Sequence, residues 1–278
     1  MLNKDYLTKL EVIQLNLFFA MWFIYLLLIT LSVTSSADDT KSVVIAGDNW
    51  CPVNCSENDN NPGFMIEVAS EALAISGYEV RYIEMPWMRA IHQARAGKVD
   101  AIVGAFSGDA PDFHFPKVPI LQLSPNTLFT LKDNDWRYKN QQSLAKVQLG
   151  AVRGYDYGTL LNAYIKSHQG GERSKVTLLS GDNVVRRSLN LLLSGRIDVY
   201  VDAGPVVWYQ AKQLGVVEQL QTVGSISPLE PAYIAFSPTN QNSEALQLAL
   251  DLGVLRLKLD GRLDEIAQKY AIKAEFYR

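Results

Sequence analysis

The sequence predicts an α/β protein of two lobes, each a mainly parallel sheet flanked by helices, with two extended segments crossing between them. Three observations predict it. Short apolar strands alternate with helical segments, the signature of parallel βαβ units. The alternation breaks off near mid-chain and then restarts. One helix-to-strand junction also recurs 98 residues later, Ala96-Gly97-Lys98-Val99-Asp100-Ala101-Ile102-Val103 against Ser194-Gly195-Arg196-Ile197-Asp198-Val199-Tyr200-Val201.

In order, Val43–Ala46 reads as an apolar strand, and Met65, Val68, Ala69, Ala72 and Leu73 share one helical face that Gly77 terminates. Strand Val80–Met85, helix Trp87–Ala96 and strand Val99–Phe106 complete the first unit. The second runs through strand Val147–Val152, helix Asp156–Ser167, strand Val176–Leu179, helix Val184–Ser194 and strand Ile197–Val201. In the repeated junction a glycine stops the helix, a basic residue faces its C-terminal dipole and an aspartate opens a buried strand. Leu123–Leu131 is a first crossing segment and Pro231–Phe236 a returning strand, followed by helices Ser243–Lys258 and Leu263–Tyr270. One lobe is therefore expected to be discontinuous, residues 38–125 with 232–278, around a second lobe of residues 126–231. A cleft is expected at the carboxyl ends of the strands.

Composition narrows the function. The 278 residues carry 26 Lys and Arg against 29 Asp and Glu, a formal charge of -3, and 48% are hydrophobic. That is globular composition rather than a disordered one. Basic residues are scattered singly, so no nucleic-acid partner is expected. At the N-terminus, Lys4 and Lys9 precede the apolar run Leu17–Leu31 and the small residues Ser35-Ser36-Ala37. We read residues 1–37 as a secretory signal cleaved after Ala37, which places the mature chain in the periplasm. An uncleaved anchor is the alternative, the run being intermediate in length between a signal and a span.

Both cysteines lie in Cys51-Pro52-Val53-Asn54-Cys55. In an oxidising compartment they are expected to form a local disulfide, worth about 2 kcal/mol through its short loop. No histidine or further cysteine lies close by, so neither a metal nor a cofactor is expected.

Four phrases, in this order, carry a resemblance: Gly63-Phe64-Met65-Ile66-Glu67-Val68, Gly97-Lys98-Val99-Asp100-Ala101, Gly150-Ala151-Val152-Arg153-Gly154, and Leu257-Lys258-Leu259-Asp260-Gly261-Arg262-Leu263. Over about Val43 to Tyr270 the chain resembles the bacterial extracellular solute-binding proteins of the polar amino acid family, the periplasmic receptors of ABC importers. The resemblance implies a Venus-flytrap fold that closes on a small solute, as a monomer, and is recognised by a membrane permease or receptor.

It also implies binding positions. Asp48 and Trp50 follow the first strand, Trp87 and Arg89 open the second helix, and Ala105, Phe106 and Ser107 follow the third strand. In the second lobe Arg153, Gly154, Tyr155 and Tyr157 lie between strand and helix, where free amides attract a carboxylate. Asp202 occupies the acidic position that receives an ammonium group, whereas Asp198 serves the fold. Trp50, Trp87, Tyr155 and Tyr157 could equally be core, Glu84 could serve Arg89 as a partner, and Asp202 could merely cap a helix.

One departure matters. The family's amino-acid binders usually carry Thr-x-x-Arg after the third strand, and here the sequence reads Ser107-Gly108-Asp109-Ala110-Pro111-Asp112. Either Arg89 or Arg153 replaces that clamp, or the solute is not a simple α-amino acid. No nucleophile elbow, phosphate loop or zinc motif is present. Ser107, Asp109 and His114 lie too close in sequence to suggest a catalytic triad. The expected function is therefore binding rather than catalysis, with delivery to an importer, signalling to a receptor, and a dehydratase-like activity in descending order.

Overall fold

A computed structural model describes Trp22, residues 41–171 and residues 174–277. The signal and its cleavage site lie, apart from Trp22, outside the described residues. Among the described residues no helix is long and apolar enough to cross a membrane. Residues from Lys41 onward form one compact unit.

The elements are β1 (Lys41–Gly47), α1 (Phe64–Ala74), β2 (Tyr78–Glu84), α2 (Trp87–Arg95), β3 (Ala101–Ala105), β4 (Leu121–Leu123) and β5 (Thr127–Leu131). There follow β6 (Leu149–Val152), α3 (Gly158–His168), β7 (Val176–Leu179), α4 (Val184–Leu193), β8 (Val199–Asp202), α5 (Gly204–Leu214) and β9 (Leu220–Ser225). The chain ends with β10 (Glu230–Phe236), α6 (Ser243–Leu259) and α7 (Arg262–Lys269). Helix α5 and strand β9 fall where the sequence reading assigned no element. The proline at the start of α5 is tolerated because its missing N–H would have no intrahelical partner there.

Two five-stranded sheets result, β2-β1-β3-β10-β4 and β7-β6-β8-β5-β9. Each is built to one plan. The strands of the βαβ units pair in parallel, β1 with β2 and β3, β6 with β7 and β8. One strand arriving from elsewhere in the chain then pairs antiparallel with two neighbours, β10 in the first sheet and β5 in the second. The sheets are therefore mixed, because the crossing strands enter in the opposite direction.

Leu123–Leu131 is not one strand. It divides at Ser124-Pro125-Asn126, giving β4 to the first sheet and β5 to the second, where the proline can donate no ladder hydrogen bond. The return runs from β9 to β10. The two crossings are stitched together: the Ser124 hydroxyl bonds the Ser225 hydroxyl at 2.6 Å and donates to the Ser227 carbonyl at 3.0 Å, and Ile226 N donates to Asn126 O at 3.0 Å. This is the hinge.

The repeated junction has the same geometry in both lobes. Gly97 and Gly195 adopt φ of 67° and 68°, a left-handed helix stop that a Cβ would strain. Asp100 Oδ2 accepts from Val44 N at 2.7 Å while Asp100 N donates to Val44 O at 2.8 Å. Asp198 does the same to Gln148, at 2.7 and 2.8 Å. Each aspartate holds the N-terminal end of the central strand of its sheet. Asp100→Ala and Asp198→Ala are each expected to cost about 1–2 kcal/mol, by orphaning one backbone N–H, with no effect on solute affinity. Chemical denaturation beside a binding titration checks both halves of that statement.

Helix α1 lies on one side of the first sheet, against α6 and α7, and buries Phe64, Met65, Val68, Ala72 and Leu73. Helix α2 covers the other side with Trp87, Ala90, Ile91 and Ala94 on Ala46, Ile102 and Ala235. This places the start of α2, and the loops after β1 and β3, at one rim of the sheet. The second lobe presents the loops after β6 and β8 to it.

Candidate functional site

The two rims meet around a cavity of about 20 Å³, room for about one water molecule. Asp48, Trp50, Trp87, Phe106 and Asp109 line it from the first lobe, Tyr155, Asp156, Tyr157 and Asp202 from the second. Val103, Gly104 and Pro125 complete the lining.

Besides the hinge contacts, four hydrogen bonds among the described residues join the two lobes around the cavity. Tyr155 Oη donates to Asp48 Oδ2 at 2.5 Å, and Trp50 Nε1 donates to Asp202 Oδ1 at 2.9 Å. Trp87 Nε1 donates to Gly154 O at 3.0 Å, and Asp156 N donates to Asp109 Oδ1 at 2.7 Å. Tyr155 is the centre of the aromatic packing. Its ring meets Trp50 and Trp87 edge-on at 6.5 and 6.1 Å, and Trp50 in turn meets Phe106 at 6.2 Å. Such geometry suits the aromatic quadrupoles and leaves the polar N–H and O–H tips free for hydrogen bonds.

The disulfide Cys51–Cys55 closes the loop after β1. Within that loop Asn54 Nδ2 donates to Asp48 O at 2.5 Å and to Tyr82 Oη at 3.3 Å, which orients Asp48. Asp202 is held by donors from Tyr200 Oη, Trp50 Nε1 and its neighbour Ala203 N.

Burial pushes the Asp48 carboxyl up to about 7, opposed by the Tyr155 hydrogen bond and reinforced by the charge of Asp202. Asp109 is pushed up to about 8, again chiefly by burial, against the Phe106 and Asp156 amides and with the charge of Asp156 adding to the rise. Burial raises Asp202 to about 6, opposed by Tyr200 and Trp50. The tyrosines Tyr155, Tyr157 and Tyr200 are driven well above their ordinary value, first by burial and then by the nearby carboxylates. All three remain neutral; Tyr155 and Tyr200 donate to Asp48 and Asp202, while Tyr157 Oη accepts from Val152 N at 2.8 Å.

Of the residues singled out in the sequence, Asp48, Trp50, Trp87, Phe106, Tyr155, Tyr157 and Asp202 line the cavity. Gly154 offers its carbonyl to Trp87. Four others lie elsewhere. Ala105 is buried in the core between β3 and α2. Ser107 is exposed at the turn after β3. Arg89 projects outward from α2, because Trp87, Ala90, Ile91 and Ala94 take the buried face, and it makes no ion pair with Glu84. Arg153 is exposed, with its backbone N–H bonded to Leu179 O. Neither arginine lines the cavity, so neither supplies a carboxylate clamp there.

The amides before α3 are likewise taken. Asp156 N goes to Asp109, Tyr157 N to Asn162 Oδ1 at 3.0 Å, and Gly158 N to Asp156 Oδ1 at 3.0 Å. Asp109 and Asp156 are the functional-looking residues that sequence reasoning missed. Asp109 accepts from Phe106 N and Asp156 N, and among the described residues no hydrogen bond links it to the side chain of Ser107 or His114. Among the described residues no group of histidine, cysteine and acidic side chains could hold a metal ion.

The family model for bacterial extracellular solute-binding proteins, family 3, matches residues 43–273. The chain belongs to that family. The resemblance drawn from the four phrases is thereby shown. Solved structures agree with the fold of this solute-binding protein. A structure from work on glutathione import through GshT and the cystine ABC importer TcyBC of Streptococcus mutans superposes with a TM-score of 0.70 at 19% identity, covering 86% of this chain and 97% of that one. A histidine kinase sensor domain similar to periplasmic binding proteins gives 0.68 at 18%, covering 84% and 97%. An ancestral arginine-binding protein bound to arginine gives 0.66 at 22%, covering 82% and 97%. A search of curated proteins by sequence finds no significant match.

Proposed function

We propose that this solute-binding protein is exported to the periplasm through its cleaved N-terminal signal, closes its lobes on a small amine-bearing solute and, as a monomer, delivers it to an ABC importer. The carrying observation is the cross-lobe bonding of Tyr155 to Asp48 and of Trp50 to Asp202. Closure is a population shift, so a solute drives it only by contacting both lobes more favourably when they are together. Here the contacting groups come from both lobes and meet at the strand ends, beside a stitched hinge. A cation would find carboxylates there, and aromatic faces that favour positive charge.

A second reading has one observation in its favour, the likeness of the fold to a histidine kinase sensor domain. In that case the same closure would report to a receptor. An enzyme reading rests only on the cleft carboxylates, which a binding protein would use as well.

Thermal unfolding of the oxidised protein against amino acids, carboxylates, amines and sugars tests the proposal. A solute at a hundred times its dissociation constant should add about 2.7 kcal/mol, visible as a raised midpoint. An amine-bearing compound is expected to give a saturable rise and to be recovered chemically unchanged. A panel without any shift overturns the proposal, and a chemically altered compound moves it to the enzyme reading.

A further inference from the structure

We propose that α6 docks on α6 of a second copy of this chain, antiparallel across a two-fold axis, in a weak and reversible dimer. The inference goes beyond solute binding, and the monomer remains the unit that delivers.

Helix α6 has two apolar faces. Leu246, Leu250, Gly253, Val254 and Leu257 turn inward and are buried. On the opposite face Ala245, Leu248, Leu252, Leu255 and Leu259 recur at steps of three and four residues. All five are exposed, the four leucines at 60, 57, 44 and 83%. A helix apolar on all sides belongs in a core, yet this face has no cover from the described residues. Single exposed apolar side chains need no explanation, whereas a contiguous stripe marks an interaction surface. Among the described residues, the other exposed large apolar side chains, such as Met88, Leu160 and Leu229, come one from each segment.

The spacing is that of a coiled-coil seam, in which alternate steps of three and four keep one row of side chains toward a partner helix. From Ala245 to Leu259 the seam runs about 21 Å along the helix. Its flanking charges indicate what that partner is. Glu244 and Lys258 lie on the same edge of the seam, one at each end, and among the described residues neither makes an ion pair. Asp251, between them on that edge, is turned inward and accepts from Lys117 N and Val118 N at 3.1 and 2.8 Å. Arg256, on the other edge, is engaged by Asp260 at 2.7 Å.

When two such helices run antiparallel, the Glu244 edge of one meets the same edge of the other. Glu244 of each copy then faces Lys258 of the other, and Leu252 meets its own equivalent at the centre. Run parallel, the Glu244 edge would face the edge that carries Ala249, and Glu244 would find no cation. The face is therefore complementary to itself about a two-fold axis, as a symmetric dimer requires. Helix α6 packs with α1 on one side of the first sheet, away from the rim that carries Asp48 and Trp50, so pairing leaves each cleft open. Four leucines and an alanine from each copy make a small interface, which is why the association is weak.

Sedimentation velocity of the mature protein from about 5 to about 500 µM tests the proposal, a range that spans weak interfaces. The average mass is expected to rise toward that of a dimer with concentration. Leu252→Glu should hold the mass at the monomer value without lowering Tm, because the side chain it replaces is exposed. Glu244→Lys and Lys258→Glu should each weaken pairing by about threefold to tenfold, each setting two like-charged pairs across the axis. Mixed one to one, these two variants should pair more tightly than either alone, since both opposite-charge pairs are restored between them. A mass that stays monomeric throughout overturns the proposal, as does a dimer that Leu252→Glu leaves intact or a mixture that pairs no better than its parts. Binding to phosphatidylglycerol vesicles by a protein that stays monomeric also overturns it and gives the seam to a lipid surface.

Discussion

Raising the pH from 5 to 8.5 is expected to open the cleft of the protein when no solute is added. The carboxyls of Asp48, Asp109 and Asp202 are raised to about 7, 8 and 6 when the lobes are together, against about 3.9 for a hydrated aspartate. Their folded-state values lie above the free ones. Their contribution to closure is therefore complete below about pH 4 and is lost as pH rises through about 6 to 8. At about 1.4 kcal/mol per unit, the loss amounts to several kcal/mol once all three must ionise.

The charges facing these groups act the same way. Glu84 and Asp202 raise Asp48, and Asp156 raises Asp109, while Tyr155, Tyr157 and Tyr200 stay neutral throughout. Opposing them are the four cross-lobe hydrogen bonds, each worth about 1 kcal/mol net. The carboxyl cost wins above neutrality. Small-angle scattering checks the expectation: the radius of gyration should grow between pH 5 and 8.5, and returning the same sample to pH 5 should restore the compact value. An identical scattering profile at both pH values would show that the carboxyls do not govern closure.

Gly253→Ala is expected to be strongly destabilising although it sits mid-helix, where alanine normally gains about 1 kcal/mol over glycine. A Cβ at Gly253 would stand 2.3 Å from Ala72 O and 2.6 and 2.7 Å from its C and Cα. These are backbone atoms of α1, which no rotamer change can move. Helices α1 and α6 would have to separate, opening the packing of Leu73, Leu250 and Val254. Overpacking usually costs about 1–3 kcal/mol, and backbone against backbone exceeds that, at about 4. The net loss is about 3 kcal/mol, a fall of roughly 6–12 °C in Tm for a chain of this size. An unchanged Tm in a calorimetric scan would mean that the helix pair has slack the structure does not show.

Much of this protein was legible along the chain. The strand and helix alternation, the glycine stops at Gly97 and Gly195, and the matched roles of Asp100 and Asp198 all depend on hydrophobic period and turn chemistry, which act over a few residues. The resemblance to the solute-binding family pointed to Asp48 and Asp202, both at strand ends, and both line the cavity. Which face of a helix or loop a charged side chain takes was not legible in the same way. Arg89 and Arg153 occupy positions that open onto the cleft in sequence order, yet both are exposed, because Trp87 and Tyr155 fill the inward places with larger apolar area.

The cross-lobe hydrogen bonds were invisible for a different reason. Asp48 and Tyr155 are 107 residues apart, and Trp50 and Asp202 are 152 apart, so nothing local constrains their meeting. By itself the sequence determined two α/β units of one plan, a disulfide-closed loop and membership of a solute-binding family. Only the tertiary structure decided that β5 and β10 enter the sheets antiparallel and that the amides before α3 are occupied by the protein's own side chains. It alone brought carboxylates of both lobes to one cavity, since the hinge and a buried cluster shared by both lobes set that juxtaposition, and such long-range contacts leave no periodic trace in the chain.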